Sequence, residues 1–229
     1  NFQYSTNNGG SWTVYSGSIA LAAGDTDLLI RTTTVGDSVD EADETFSLSA
    51  TLASSGNTYG DSATATIVDD DTPKIFFGES DTATGNILVP EGELATFALH
   101  VTGAAAGSTL QLTLADGTAL SPADYASGNF QYSTNGGSSW TTYSGAIALA
   151  AGDTDLLIRT TTAEDSVDEP DETFGLGATL TSNGDEYNDS ATATIVDDDI
   201  PKIFFGESDT ATGNILVPEG QLATFELHV

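Results

Sequence analysis

The hexapeptide NFQYST at Asn1–Thr6 returns at Asn129–Thr134, and from there the two stretches stay in register to the last residue. Residue 1 recurs at residue 129, so the period is 128, and 84 of the 101 overlapping positions are identical. A unit of that size is too long for a solenoid repeat and has the length of a small domain. The chain therefore reads as a stretch of a bead array, and its function is expected to belong to the array as much as to one bead. Differences between copies fall mostly at small or polar positions, such as Asn8 against Gly136, Ala42 against Pro170 and Thr58 against Glu186. The apolar pattern and nearly all acidic positions are shared.

Thirty-five Asp and Glu stand against four Lys and Arg, a formal charge of -31. Such a field repels nucleic acid and anionic membrane surfaces, and its natural partners are cations. Hydrophobic residues still make up 38% of the chain and occur in clear patterns, which favours a folded domain with an acidic surface over a disordered one. The absence of Cys removes disulfides and thiolate metal sites, and two His leave little imidazole for zinc or copper. No apolar run approaches the length that spans a bilayer. With no initiator Met and no signal-like start, the sequence reads as an internal fragment whose export and anchoring signals are expected elsewhere.

Strands dominate the pattern. Leu110, Leu112 and Leu114 alternate with polar residues before the turn Ala115-Asp116-Gly117, Phe97, Leu99 and Val101 alternate behind Pro90-Glu91-Gly92, and Ala191–Val196 reads ATATIV. Leu28–Thr34 and Leu157–Thr162 give a further strand in each copy, and NFQYSTNGGSSWTTY with its earlier version reads as a hairpin on an Asn-Gly-type turn. No amphipathic helix is evident. Short strands separated by Gly, Asp and Asn turns predict an all-β, two-sheet antiparallel sandwich, with Trp12, Trp140, Phe46 and Phe174 in the core or packed on a sheet.

The break between beads falls at Asp69-Asp70-Asp71 followed by Thr-Pro, repeated as Asp197-Asp198-Asp199 followed by Ile-Pro. Proline at 73 or 201 favours an extended entry into the next strand. On this division residues 1–71 are the C-terminal part of one module, 72–199 a complete module and 200–229 the opening of a third. Nothing in the end pieces corresponds to residues 102–128.

The chemistry lies in acidic clusters. One is Asp165, Asp168, Glu169, Asp171 and Glu172, matched by Asp37, Asp40, Glu41, Asp43 and Glu44; a second is the terminal Asp triplet; a third, sparser, joins Glu91 and Asp124, with Glu219 repeating Glu91. Two like charges 4 Å apart repel by roughly 4 kcal/mol at an effective dielectric of about 20, and the chain has too few basic residues to neutralise three consecutive aspartates. A hard cation resolves that repulsion. Carboxylates and carbonyls from loops at one end of a sandwich meet the calcium demand for about six to eight oxygens, whereas magnesium wants a smaller octahedral shell. The Asp25–Asp27 and Asp153–Asp155 pairs read as solvated turns rather than ligands. Paired carboxylates also serve glycoside hydrolysis, but identical acidic sets in each copy of a polymer fit ion binding better, and the chain reads as non-enzymatic.

The order VPEG, then DGTA with DY a few residues later, then D-x-x-D-E-x-D-E-T-F, then ATATIVDDD resembles the Calx-beta domain family. The matching residues are Pro90–Gly92, Asp116–Ala119, Asp124-Tyr125, Asp165–Phe174 and Ala191–Asp199. The resemblance implies a seven-stranded immunoglobulin-like sandwich with calcium at one end. It implies as ligands Glu91, Asp124, Asp165, Glu169, Glu172, Asp197, Asp198 and Asp199, with Asp37, Glu41, Glu44, Asp69, Asp70, Asp71 and Glu219 as their counterparts in the other copies. The segment Phe130–Ala150 departs from the family pattern as a longer aromatic hairpin.

Near-identical tandem copies, extreme acidity and absent Cys further resemble the extender region of giant bacterial RTX-type adhesins, exported to the cell surface by a type I system. The expectation is a calcium-stiffened spacer in biofilm-type cell adhesion, whose partners are calcium ions and the neighbouring repeats. The alternative is an adhesive module binding a carbohydrate or protein through Tyr4, Trp12 and Tyr15 and their counterparts Tyr132, Trp140 and Tyr143.

Overall fold

A computed structural model describes residues 2–24, 26–206 and 213–228. Alternating apolar residues become strands throughout, and no helix occurs among the described residues. Two compact units result, one of residues Asn1–Ser38 and Ala42–Asp69, the other of Val39–Glu41 and Asp70–Val229.

The first unit holds β1 (Gln3–Ser5), β2 (Thr13–Val14), β3 (Leu29–Arg31), β4 (Glu44–Ser54) and β5 (Asn57–Ile67). β1 pairs with β2 and β3, and β4 and β5 form a two-stranded ladder. Phe46 is 39% exposed there, against 1% for its counterpart Phe174. The reason is local: within this unit β4 has only β5 beside it, and no element plays the part that Phe97 and Tyr125 play around Phe174.

The second unit contains a complete sandwich. Its strands are β6 (Lys74–Phe77), β7 (Ile87–Pro90), β8 (Leu94–Ala104), β9 (Thr109–Asp116), β10 (Gln131–Ser133), β11 (Thr141–Thr142), β12 (Ile147–Ala148), β13 (Gly152–Thr161), β14 (Glu172–Ser182) and β15 (Asp185–Val196), followed by the small β16 (Phe204–Phe205) and β17 (Leu227–His228) ladder. One five-stranded sheet runs β11-β10-β13-β8-β6 and the other β12-β9-β14-β15-β7. All ladders are antiparallel except β15 with β7, which is parallel.

Strand period fixes what is inside. Phe97, Leu99 and Val101 of β8 and Phe174, Leu176, Ala178 and Leu180 of β14 face each other across the sandwich, all nearly fully buried. Phe97 meets Phe77 and Phe174 edge to face, and Tyr125 stacks flat on Phe174 at 4.2 Å. Each such side chain contributes about 1.5–3 kcal/mol by burial.

The chain changes sheets between β6 and β7. There Gly85, at φ +60°, lies so close to Phe77 that an added Cβ would sit 2.2 Å from the Phe77 Cβ. Backbone donors freed by the crossover go to side chains: Phe77 N–H to Asp189 Oδ2 (2.7 Å) and Thr192 N–H to Asn86 Oδ1 (2.8 Å).

The aromatic segment 130–150 adds edge strands to both sheets, β10 and β11 to one and β12 to the other. Tyr143 stacks on Phe130 at 4.7 Å and accepts the Leu112 N–H at 3.0 Å, so β9 does not offer that donor as an open edge. The hairpin turn is built by Ser133 and Asn135, which accept the Gly137 and Ser139 N–H groups at 2.9 Å each. Ser5 and Asn7 make the same turn in the first unit.

Candidate metal centre

Topology assembles the acidic end of the sandwich. The parallel register sets Pro90 beside Val196, and Glu91 donates its N–H to the Val196 carbonyl at 3.3 Å. Glu91, which follows β7, is thereby placed next to the Asp triplet that follows β15. Gly92 then donates to the Ala163 carbonyl at 2.9 Å, tying this corner to the loop between β13 and β14. Gly92 has φ +72°, and a Cβ there would lie 2.6 Å from the Glu164 carboxylate.

One carboxylate oxygen from each of Glu91, Asp197 and Asp199 lies within 4.8 Å of the others, the one such group among the described residues. Glu91 Oε2, Asp197 Oδ1 and Asp199 Oδ2 are buried and have no hydrogen-bond partner. Burial, then the charges of Asp165, Asp197, Asp199 and Glu164, push the Glu91 carboxyl up from 4.5 to about 7. Asp199 is raised in the same direction, first by burial and then by Asp197, Asp198, Asp165 and Asp168.

Three of the four Lys and Arg side chains are engaged elsewhere. Lys74 pairs with Asp81 at 2.9 Å, Arg159 lies over the Trp140 ring while bonding Gln131, and Arg31 lies over Trp12. Three buried oxygens that repel one another and lack donors form a cluster that positive charge stabilises, and hard oxygens suit a hard cation.

A second acidic set adjoins it. The Glu172 carboxyl is raised first by burial, then by the neighbouring Asp124 and by Glu169. Asp124 is held by its own loop: its carboxylate accepts the Leu120 N–H at 2.6 Å, and its carbonyl accepts the Ala163 N–H at 2.8 Å. Tyr125, next in sequence, is anchored by its hydroxyl to Asp116 Oδ1 at 2.7 Å.

Of the expected ligands, Glu91, Asp197 and Asp199 meet in one group, and Asp124, Glu169 and Glu172 in the neighbouring set. Asp165 acts on the first group through its charge. Asp198 falls on the opposite face of the extended triplet and is exposed, as period-two alternation requires. Asp37, Glu44 and Asp69 fall in the first unit and Glu41, Asp70 and Asp71 in the second. They are not drawn into a comparable group, since the 229 residues contain no copy of Glu91 or Asp124 that precedes them. Glu219 sits in an exposed turn after Pro218.

Two acidic residues outside the expected ligand set act here. Asp171 accepts the Asp197 N–H at 3.3 Å, and Asp43 accepts the Asp69 N–H at 3.1 Å, so in both copies a carboxylate of the acidic loop orients the first residue of the triplet. Glu164 brings a further negative charge to Glu91, and its counterpart in the first copy is Gly36. The copy-to-copy difference at this position was the available signal.

Asp153 and Asp155 lie in a strand rather than a turn. Asp153 accepts the Gly103 N–H at 3.0 Å and Asp155 pairs with His100 at 2.7 Å, while Asp25 lies outside the described residues. The tryptophans are half-buried on the sheet surface rather than in the core: each carries an arginine guanidinium 3.9 Å over its ring.

The Calx-beta domain profile matches residues 4–71, 87–135 and 131–199. The chain belongs to the Calx-beta domain family. It is a tandem array of immunoglobulin-like β-sandwich domains of a non-catalytic, structural type. The two later matched segments fall within the single sandwich of the second unit, and each matched segment is shorter than the sequence period.

No curated protein sequence matches the chain. Among solved structures, the apo-form CBD1 domain of Calx aligns at 21% identity and a TM-score of 0.40, over 56% of this chain and 98% of that one. CBD12 from CALX1.2 aligns at 22% identity and a TM-score of 0.39, over 59% of this chain and 50% of that one. The calcium binding domain CBD12 of CALX1.1 aligns at 22% and 0.37, over 55% and 45%. The chain spans about half the length of these last two. Among the described residues no helix is long and apolar enough to cross a membrane.

Proposed function

We propose that this chain is a calcium-stiffened extender from a large bacterial surface adhesin of the RTX type, exported by a type I system and working outside the cell. Its modules are 128 residues long: 72–199 is one complete module, 1–71 the end of its predecessor and 200–229 the start of its successor. The observation that carries the reading is the meeting of Glu91, Asp197 and Asp199, whose buried oxygens have no hydrogen-bond partner. These residues come from opposite ends of the module, so an ion held between them ties the segment leaving the module to its entry corner.

Calcium would be held by Glu91, Asp197 and Asp199, assisted by Asp165, with a second ion at Asp124, Glu169 and Glu172. Asp198 and the counterparts Asp37, Glu41, Glu44, Asp69, Asp70, Asp71 and Glu219 would serve equivalent sites in the array. Extracellular calcium modules have dissociation constants of about 10⁻⁴–10⁻³ M, so such sites stay open in a low-calcium cytoplasm and fill outside. Calcium at 100 times its dissociation constant adds about 2.7 kcal/mol per independent site that only the folded state offers.

Calcium titration by calorimetry, with thermal unfolding in excess calcium and in chelator, tests this reading. Heat of binding with a raised melting temperature is expected. Equal melting temperatures in both conditions would remove the calcium reading. The alternative of an adhesive module is disfavoured by the arginine over each tryptophan, which takes one ring face from a stacking ligand.

A further inference from the structure

Ser182 ends β14 at the pole of the sandwich away from Glu172, the first residue of that strand, and is 1% exposed. Its Oγ accepts two hydrogen bonds, from the Ala105 N–H at 3.0 Å and from the Ser108 hydroxyl at 2.9 Å. A serine hydroxyl has two acceptor positions and one proton, so both lone pairs are used and the proton is left to point outward. Its acceptor is the Oδ2 of Asp40, at 2.8 Å. Asp40 also donates its own N–H to the Gly103 carbonyl at 2.9 Å. Side chain and backbone of one aspartate are thus both recognised.

The burial of Asp40 does not come from its own sequence. Asp40 is the fourth residue of Asp37-Ser38-Val39-Asp40-Glu41, and the identical stretch Asp165–Glu169 carries Asp168 at the same place. Asp168 is exposed, whereas Asp40 is 9% exposed, and Val39–Glu41 cluster with the second unit rather than with the residues on either side of them. What differs is the presence of the Ser182 seat.

We propose that Gly103, Ser108 and Ser182 form an aspartate socket, and that its occupant is the fourth residue of the DSVDE loop of the preceding copy. Asp40 is then a latch residue rather than a metal ligand, and Asp168 is the latch offered to the next complete copy. The socket accepts a carboxylate because its one outward group is a donor, and it accepts an aspartate because the Gly103 carbonyl demands a backbone N–H in the same residue. The proposal stands independently of calcium.

The test is residue-resolved amide hydrogen exchange on the whole chain, in chelator so that metal binding plays no part. The Asp40 amide is expected to be protected. Asp40→Ala is expected to raise exchange at Ala105 and Ser108 about tenfold, and Ser182→Ala to do so at Asp40. Ser182→Thr, which keeps a hydroxyl, should restore protection, and Asp168→Ala should leave it unchanged. Core amides of β14 report on the fold; if Ser182→Ala lowers their protection too, Asp40→Ala decides. An Asp40 amide exchanging at the rate of an unstructured peptide, or unchanged exchange at Ala105 and Ser108 in Asp40→Ala, would overturn the proposal.

Discussion

Glu91 is a carboxyl placed where ionisation is unfavourable without a cation, and this sets the pH behaviour of the metal-free protein. Its folded value of about 7 lies above the ordinary 4.5. Between those values the folded state holds a proton that the unfolded state has released, so stability from this group falls as pH rises through that window. Glu172 and Asp199 are shifted in the same direction and add to the trend. In chelator, melting temperatures recorded from about pH 5 to 8 are therefore expected to decline with rising pH over this window. Calcium requires the deprotonated ligands, so its stabilising increment is expected to grow over the same interval. A flat profile in chelator would contradict the geometry of the cluster. The variant Glu91→Gln removes the charge while keeping an oxygen acceptor. It is expected to melt higher than the parent in chelator at neutral pH and to show a smaller calcium increment, measured by paired thermal scans. At this scale the Asp triplet was legible because three like charges in succession have no other easy explanation. The choice of Asp197 and Asp199 over Asp198 was not, since it depends on which face of the extended segment meets Glu91. The role of Asp171 and the Asp40 seat were hidden for the same reason: each is defined by a partner distant in sequence.

β-Strands were readable wherever apolar residues alternate, as in β8, β9 and β15, because one buried face imposes period two on the sequence. The parallel pairing of β7 with β15 was not readable, although it is what brings Glu91 to the triplet. Four apolar residues of Ile87–Pro90 specify a strand but not its partner. The long aromatic hairpin, legible as a departure from the family pattern, proves to be edge material for both sheets. Tyr143 illustrates the logic: its ring joins the core margin while its hydroxyl takes the Leu112 N–H. The crossover between β6 and β7 gives the sharpest element-scale prediction. Gly85→Ala places a methyl group against Phe77 at a positive φ, so it is expected to cost about 1–3 kcal/mol through overpacking. Denaturant unfolding should show that loss equally in calcium and in chelator, because Phe77 belongs to the core and not to the acidic end. A loss seen only with calcium present would mean that the crossover and the metal centre are coupled.

Over the whole molecule, repetition ties the single sandwich to the array. Every copy carries the same acidic triplet just before a proline, so a device that works at one exit works at each of them. In the metal-free state, repulsion among Glu91, Asp197 and Asp199 opposes a fixed exit direction for the chain, and Lys74 and Arg159 are engaged elsewhere. On the proposed function, a cation bound there would convert that repulsion into a crosslink between the module's entry corner and its exit. Small changes at each exit then add along the array, so the consequence is larger for the array than for one module. Scattering from a chain of three or more complete modules, titrated with calcium after metal removal, is expected to show a longer and stiffer particle. Circular dichroism at each point separates the two ways this arises. Extension with an unchanged β signal means that calcium sets the joints between folded beads; extension and β signal rising together means that the ion completes the beads themselves. If neither signal moves, the acidic end is solvated surface, and the extender reading fails at the scale where it matters.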